Sequence, residues 1–365
     1  MLVWKVVKIS AGYFLNASDI SANEEVKIPL AGSQNRQQPA HHHNPQSRSA
    51  LGVFIMRYIL AALFILGVAC QSEGQDFSDI PVVDTHIHLY DTTRPEGLPW
   101  PPESDKVLYR PVLTEHFDAV AEKNGVSATV IVEASSWLSD NKWVLDLVKG
   151  NPNRYIGLVG SLEVGSDDFA KNLKELSKDK RFVGIRARER NQEDYFTDAV
   201  WRDLELLAEM DQTLDVLMFN FSLEEVAMIA KRIPKLRILI NHVAGADIDG
   251  GPAKPEWVSS VKTAAAQPNV YCKISGLFQQ SHRTPSPTDV EFYKSTLDVL
   301  TEAFGEDRLI YGSNWPVTMR GGKYGDFKKV VVDYYAPQGR RFLEKLLYKN
   351  ALKFYGLTDT ELNQK

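Results

Sequence analysis

With 365 residues, 44% of them hydrophobic and 24% charged, the chain has the composition of a globular protein and room for one large domain plus additional segments. A net charge of −5, with no basic stripe interleaved with aromatics, argues against nucleic acid as a partner. The two cysteines, Cys70 and Cys272, lie far apart in different contexts and imply no disulfide framework.

In chain order, residues 1–55 contain a stretch, Gly32–Ser49, dominated by Gln, Asn, Ser, Pro and His. Such a composition buries too little apolar surface to offset its ordering entropy, so a disordered extension is expected. Met56-Arg57-Tyr58 then leads into an apolar run of eleven residues, Ile59–Ala69. That run is too short to span a bilayer as a mature helix and matches the hydrophobic region of an export signal. Leu66-Gly67-Val68-Ala69-Cys70 resembles the end of a bacterial lipoprotein signal, with Cys70 as the lipid-bearing first residue; Gly67 departs from the pattern, and ordinary signal cleavage is the alternative. Residues 56–70 therefore read as a signal peptide, directing the protein to the periplasm or to a membrane anchor, with Met56 as the start and 71–76 as a polar tether.

From residue 77 to 357 apolar runs of strand length alternate with amphipathic runs of helix length. The expected strands are Ile80–Val83, Ala128–Val132, Tyr155–Val159, Phe182–Ile185, Leu214–Phe219, Arg237–Ile240, Val270–Ile274 and Leu309–Tyr311. Helical periodicity marks Leu113–Lys123, Lys142–Lys149, Phe169–Leu176, Val200–Met210, Leu223–Arg232, Val290–Phe304 and Arg340–Phe354, with Ser222 a cap for the fifth of these. Eight strands alternating with helices over this length predict a (β/α)8 TIM barrel followed by a short tail, 358–365. An open doubly wound sheet is the competing architecture, but no Gly-rich dinucleotide fingerprint or P-loop follows any strand.

A barrel of this kind carries its chemistry at the C-terminal strand ends. The first strand runs into Asp84-Thr85-His86-Ile87-His88, and in an extended segment residues two apart share a side, so His86 and His88 point to one place. The remaining ends supply Glu133, then Arg186 and Arg188, then Asn220, then Asn241 and His242, then Lys273 and Ser275, and finally Ser313, Asn314 and Trp315. Arg186 and Arg188 are spaced to clamp a carboxylate or hydroxyls, and an inward Arg186 requires either a polar ligand or Glu133 as counter-ion. Lys273, between apolar neighbours, is either a charge aimed at substrate or one half of a structural ion pair. Trp315 is expected to wall the pocket, Trp100 to sit on the long first loop over the mouth, and His282 to reach substrate from the loop after the seventh strand.

Val-Asp-Thr-His-Ile-His at 83–88, Leu-Ile-Asn-His-Val-Ala-Gly at 239–245, Tyr-Cys-Lys-Ile-Ser-Gly-Leu at 271–277 and Tyr-Gly-Ser-Asn-Trp-Pro-Val at 311–317 together resemble the amidohydrolase-related TIM-barrel hydrolases. Within that group they are most similar to the branch holding sugar-acid lactonases of the L-fuconolactonase and rhamnonolactonase type, close to the pyrone-dicarboxylate lactonases. The resemblance implies hydrolysis of a lactone or related cyclic ester by water attack on the carbonyl, with a small sugar lactone as substrate. It also admits a metal-dependent decarboxylase of the same superfamily, or a ligand-binding barrel that has lost catalysis.

This chain departs from the metal-binding members: strand four ends in Arg186, strand five offers Asn220, and Asn314 stands where an Asp is usual. A binuclear centre is therefore not expected. His86, His88 and His242 could hold one zinc with a water in the fourth position. The alternative is metal-free, with the imidazoles donating hydrogen bonds to the carbonyl oxygen. An amide at 314 orients water but cannot take its proton, which leaves Glu133 as the replacement base unless it pairs with Arg186, and His86 or His242 as further candidates.

Overall fold

The computed structural model describes residues 76–187 and 195–358. Eight parallel strands follow one another around the sheet in chain order: β1 (Val82–Ile87), β2 (Val126–Val132), β3 (Tyr155–Gly160), β4 (Phe182–Ala187), β5 (Thr213–Val216), β6 (Ile238–Ile240), β7 (Val270–Ile274) and β8 (Leu309–Tyr311). The ring closes where Ile87 bridges Trp315 in parallel and the His88 N–H donates to the Trp315 carbonyl at 2.9 Å. Deeper in the same seam, Thr85 Oγ1 donates to the Tyr311 carbonyl at 2.6 Å. Helices α1 (Thr114–Lys123), α2 (Leu138–Leu147), α3 (Phe169–Leu176), α4 (Asp198–Glu209), α5 (Leu223–Arg232), α6 (Pro255–Ala265) and α7 (Glu291–Phe304) fill the connections, and α8 (Tyr324–Tyr335) follows the last strand. This is the (β/α)8 barrel expected from the alternation of runs.

The period of two along each strand sorts the core into two layers. Val83, Val130, Val159, Val183, Leu239 and Ile310 form an inner cluster, while neighbours such as Val82, Ile131, Leu158 and Ile238 join the layer under the helices. Leu352, Phe354 and Tyr355, from the C-terminal helix Asn350–Tyr355, belong to the inner cluster. Asn350 Nδ2 donates to the Glu306 and Leu309 carbonyls at 2.8 Å each, at the start of β8, so this helix stoppers the end of the barrel opposite the strand C-termini. At α5 the expected cap is a full capping box: Ser222 Oγ accepts the Glu225 N–H at 3.1 Å, and the Glu225 carboxylate accepts the Ser222 N–H at 2.9 Å.

Some boundaries differ from the sequence expectation. β1 begins later and extends through Ile87, which places His86 within the strand. β5 stops at Val216, not Phe219, because Leu217–Asn220 closes a turn in which the Asn220 N–H donates to the Leu217 carbonyl at 3.0 Å; the apolar run continues past the strand, and Phe219 is 88% exposed. Periodicity does not single out helices α6 and α8. Among the described residues no helix is long and apolar enough to cross a membrane. The expected disordered extension, the Met56–Cys70 signal with its anchor cysteine, most of the tether, Arg188 and most of the C-terminal tail lie outside the described residues.

Candidate active site

A cavity of about 500 Å³ opens at the strand C-termini. Its wall includes two imidazoles, His88 and His242, and four side-chain amides, Asn220, Gln279, Gln280 and Asn314. Arg186, Arg320 and the ring of Trp100 complete the polar and aromatic part, and Phe219 stands at the edge.

β1 brings His86 and His88 together as the spacing predicts, with ring centroids 5.0 Å apart and the planes nearly perpendicular. His88 Nδ1 lies 2.9 Å from the Val132 carbonyl oxygen, which can only accept, so that nitrogen carries a proton. Nε2 of the same ring is 3.3 Å from Asn314 Oδ1. Asn314 holds this place in a left-handed conformation, φ 59°, which Asn tolerates better than most residues, and its Nδ2 donates to Gln279 Oε1 at 3.3 Å.

His242 arrives on a rarer piece of backbone. His242, Val243, Ala244 and Gly245 have φ of 53°, 46°, 53° and 66°, a single left-handed turn directly after β6. For Val243, β-branched and fully buried, this costs of order 1–2 kcal/mol, so neighbouring contacts must enforce it. Trp257 Nε1 donates to the Ala244 carbonyl at 2.9 Å from α6. The Ser275 hydroxyl accepts the His242 N–H at 3.1 Å and lies 3.0 Å from Nδ1. Gly276 makes room: at φ +70°, a Cβ there would stand 2.9 Å from the His242 Cβ and Nδ1.

His86 packs against His242 with centroids 4.5 Å apart but is fully buried beneath the cavity wall. Its Nδ1 faces Lys273 Nζ at 3.5 Å, and among the described residues its Nε2 has no hydrogen-bond partner. Burial, and then the charges of Lys273, His242, His88 and Arg186, hold the His86 pKa well below the usual imidazole value. Burial, followed by Arg186, Lys273 and His88, does the same for His242. Both rings are accordingly neutral at neutral pH.

The charged candidates are largely committed to one another. Arg186 Nε donates to Glu133 Oε1 at 2.5 Å, and Nη2 donates to the Glu133 carbonyl at 2.7 Å, so Glu133 is the counter-ion that an inward Arg186 requires. Lys273 does not line the cavity; it is fully buried in the barrel and forms an ion pair with Asp215 at 2.8 Å. Two further expectations are corrected. Trp315 is 2% exposed and packs on Phe117 of α1, centroids 5.2 Å apart, because the β8 end turns its ring to the helix layer; Trp100 supplies the aromatic wall instead, 5.5 Å from His88. His282 is exposed and pairs with Asp247 on the neighbouring loop rather than lining the cavity.

Sequence reasoning missed Gln279, Gln280 and Arg320 as wall residues, although each lies in a loop after a strand, where such residues are sought. It also missed Asp215, a carboxylate inside an apolar strand, as Lys273 is an ammonium inside one.

As arranged, the three imidazoles do not make a zinc site. Among the described residues no group of three or more His, Cys, Asp or Glu side chains stands where one ion could be held. The chemistry of one donor points the same way: a ligating ring keeps a free lone pair and turns its second nitrogen to an oxygen, as His88 and His242 do toward Val132 and Ser275, whereas His86 turns Nδ1 to an ammonium.

Comparison with known proteins places this architecture. L-fucono-1,5-lactonase of Burkholderia ambifaria is 30% identical over 248 residues, covering 67% of this chain and 83% of that protein. L-fucono-1,5-lactonase of Burkholderia multivorans is 26% identical over 259 residues, covering 68% of this chain and 86% of that protein. The crystal structure of an amidohydrolase from Burkholderia multivorans with bound zinc superposes with a TM-score of 0.68 at 23% identity, over 76% of this chain and 99% of that one, a likeness of fold. The family model described as Amidohydrolase matches residues 83–357. With that match spanning the whole barrel, the chain belongs to the amidohydrolase family.

Proposed function

We propose that the protein is a hydrolase that opens lactones of sugar acids by water attack on the ring carbonyl. The observation that carries this reading is the pairing of His88 with Asn314 at the cavity wall. With Nδ1–H committed to the Val132 carbonyl, the neutral form of His88 has its lone pair on Nε2, facing Asn314 Oδ1; two acceptors held together favour taking up a proton between them, and the attacking water supplies it. The imidazolium so formed has an oxygen acceptor at each nitrogen, the Val132 carbonyl and Asn314 Oδ1. The tetrahedral oxyanion collapses, the ring C–O bond breaks, and the leaving alkoxide recovers the proton from His88, giving the open hydroxy acid.

The rest of the cavity suits a neutral, hydroxyl-rich ring. Asn220, Gln279, Gln280 and Asn314 each combine a donor and an acceptor, as a hydroxyl does, and Trp100 offers a face for the apolar side of a sugar. The guanidinium of Arg186 is already balanced by Glu133, and that of Arg320 pairs with Asp105. The related L-fucono-1,5-lactonases support a 1,5-lactone as the first substrate to try.

A panel of five- and six-membered aldonolactones in a pH-stat, with and without chelator, tests the reading. Acid release that survives the chelator is expected; tight lactone binding without acid release would mean the barrel binds and does not turn over. No step of this reaction passes through a metal, since the donor set does not fit one. Export is proposed on the Met56–Cys70 segment alone, with Cys70 as lipid anchor. Mass spectrometry of the mature N-terminus from a bacterial membrane fraction tests it, an intact residue 1 being the contrary result.

A further inference from the structure

One buried charge takes no direct part in lactone opening. Lys273 lies inside the barrel, between the stopper helix Asn350–Tyr355 and His86. Its Nζ is 2.8 Å from Asp215 Oδ2, 3.0 Å from the Thr85 carbonyl, 3.3 Å from the Tyr355 hydroxyl and 3.5 Å from His86 Nδ1. Asp215 is itself held by Asn241 Nδ2 at 3.2 Å and by the Tyr355 hydroxyl at 3.3 Å. Burial lowers the Lys273 pKa, but Asp215 in direct contact and Asp84 nearby favour the charged form, and the ion pair keeps the lysine an ammonium.

An ammonium has three donors and no lone pair. Its three N–H groups are shared among four neighbours, and because an ammonium repels an N–H turned toward it, His86 Nδ1 carries a lone pair and the neutral ring its proton on Nε2. That Nε2 is the buried ring atom without a partner among the described residues, and its ring packs on His242 and His88, which line the cavity. An unsatisfied buried N–H is costly unless a bound oxygen takes it.

We propose that Lys273 is a positioning residue that fixes His86 as the Nε2–H tautomer, so that His86 presents a neutral N–H donor to the carbonyl oxygen of a bound lactone. Asp215 and Tyr355 hold the ammonium from below, which gives the C-terminal helix a part in the chemistry as well as in closing the barrel. A neutral donor suits this position because it stabilises the oxyanion without adding a third positive charge beside Lys273 and Arg186. The inference rests on lactone opening as the reaction.

The test begins with the unaltered protein. Nitrogen-15 spectra of histidine-labelled protein at neutral pH, with His86 identified from its loss in His86→Gln, are expected to show a protonated Nε2 and an unprotonated Nδ1. A protonated Nδ1 overturns the proposal whether or not lactones are hydrolysed, and a protein that hydrolyses none overturns the reaction while leaving the tautomer measurable. Lys273→Met, paired with Asp215→Leu so that no lone charge stays buried, is expected to populate the other tautomer. It should lower kcat at least about tenfold with KM within about twofold, the pattern of a lost transition-state donor. Unchanged kcat in a folded double variant overturns the proposal. Tyr355→Phe, a milder change, should lower kcat by less and leave the wild-type tautomer in place.

Discussion

Arg186 grips Glu133 at two points, its Nε on the carboxylate at 2.5 Å and its Nη2 on the main-chain carbonyl at 2.7 Å, with both side chains almost wholly buried. Both contacts position the Arg186 guanidinium, so Glu133 is an anchor for Arg186, and whether it also serves water as a base is a matter for substitution. Glu133→Gln retains an acceptor for Arg186 and is expected to keep lactone hydrolysis within about tenfold of wild type; a loss of about 10²–10⁴ would return the base role to Glu133. Arg186→Met removes the buried guanidinium that Glu133 holds at two points and should cost about 3–5 kcal/mol in denaturant unfolding.

His88 and His242 stand at one cavity in unlike settings, and their variants should differ accordingly. His88→Asn removes the lone pair that takes the proton, so kcat should fall by about 10²–10⁴ in the pH-stat assay. His242→Ala removes a neutral wall imidazole and should cost at least about tenfold. Equal, small losses in the two variants would show that neither ring handles the proton.

The barrel was legible because periodicity is a local property: Val82–Ile87 or Val270–Ile274 announces a buried strand wherever its partners lie. The site's imidazoles were legible for a related reason, since strand ends of one barrel share a rim. What the sequence could not convey was depth and direction. Lys273 reads as an inward charge, but its place below the cavity depends on Asp215, 58 residues away, and on Tyr355, 82 residues away. Trp315 reads as a wall residue until the β1–β8 seam, closed through its own carbonyl, turns its ring toward Phe117. The end of β5 was obscured because Leu217-Met218-Phe219 continues the apolar run through a turn.

Acid should weaken the fold through the same imidazoles. His86 and His242 are held well below the ordinary value of 6.5, so from about pH 6.5 down to their depressed native values the unfolded chain binds protons that the folded chain does not. Stability therefore rises with pH in that window and is lost as pH falls, by about 1.4 kcal/mol per pH unit for each ring. Urea unfolding between pH 7 and 5.5 is expected to show this decline, and His242→Asn should flatten its slope by about the share of one ring. A wild-type slope in that variant would mean that His242 is not held neutral.

Gly276 offers the sharpest separation of placement from stability. At φ +70° it occupies backbone that an L side chain adopts at a cost, and a Cβ would stand 2.9 Å from the His242 ring and Cβ, in a turn already pinned by Ser275 and Trp257. Gly276→Ala is expected to lower unfolding free energy by about 1–3 kcal/mol, from the left-handed conformation and the contact together. Because the displaced group is the imidazole at the cavity wall, kcat should drop further than stability alone accounts for; a displacement of about 1 Å in a reacting site can cost about 10²-fold. Circular dichroism with kcat on the same preparation checks this. A folded Gly276→Ala protein with wild-type kcat would show that the seat of His242 has more slack than the close packing around it indicates.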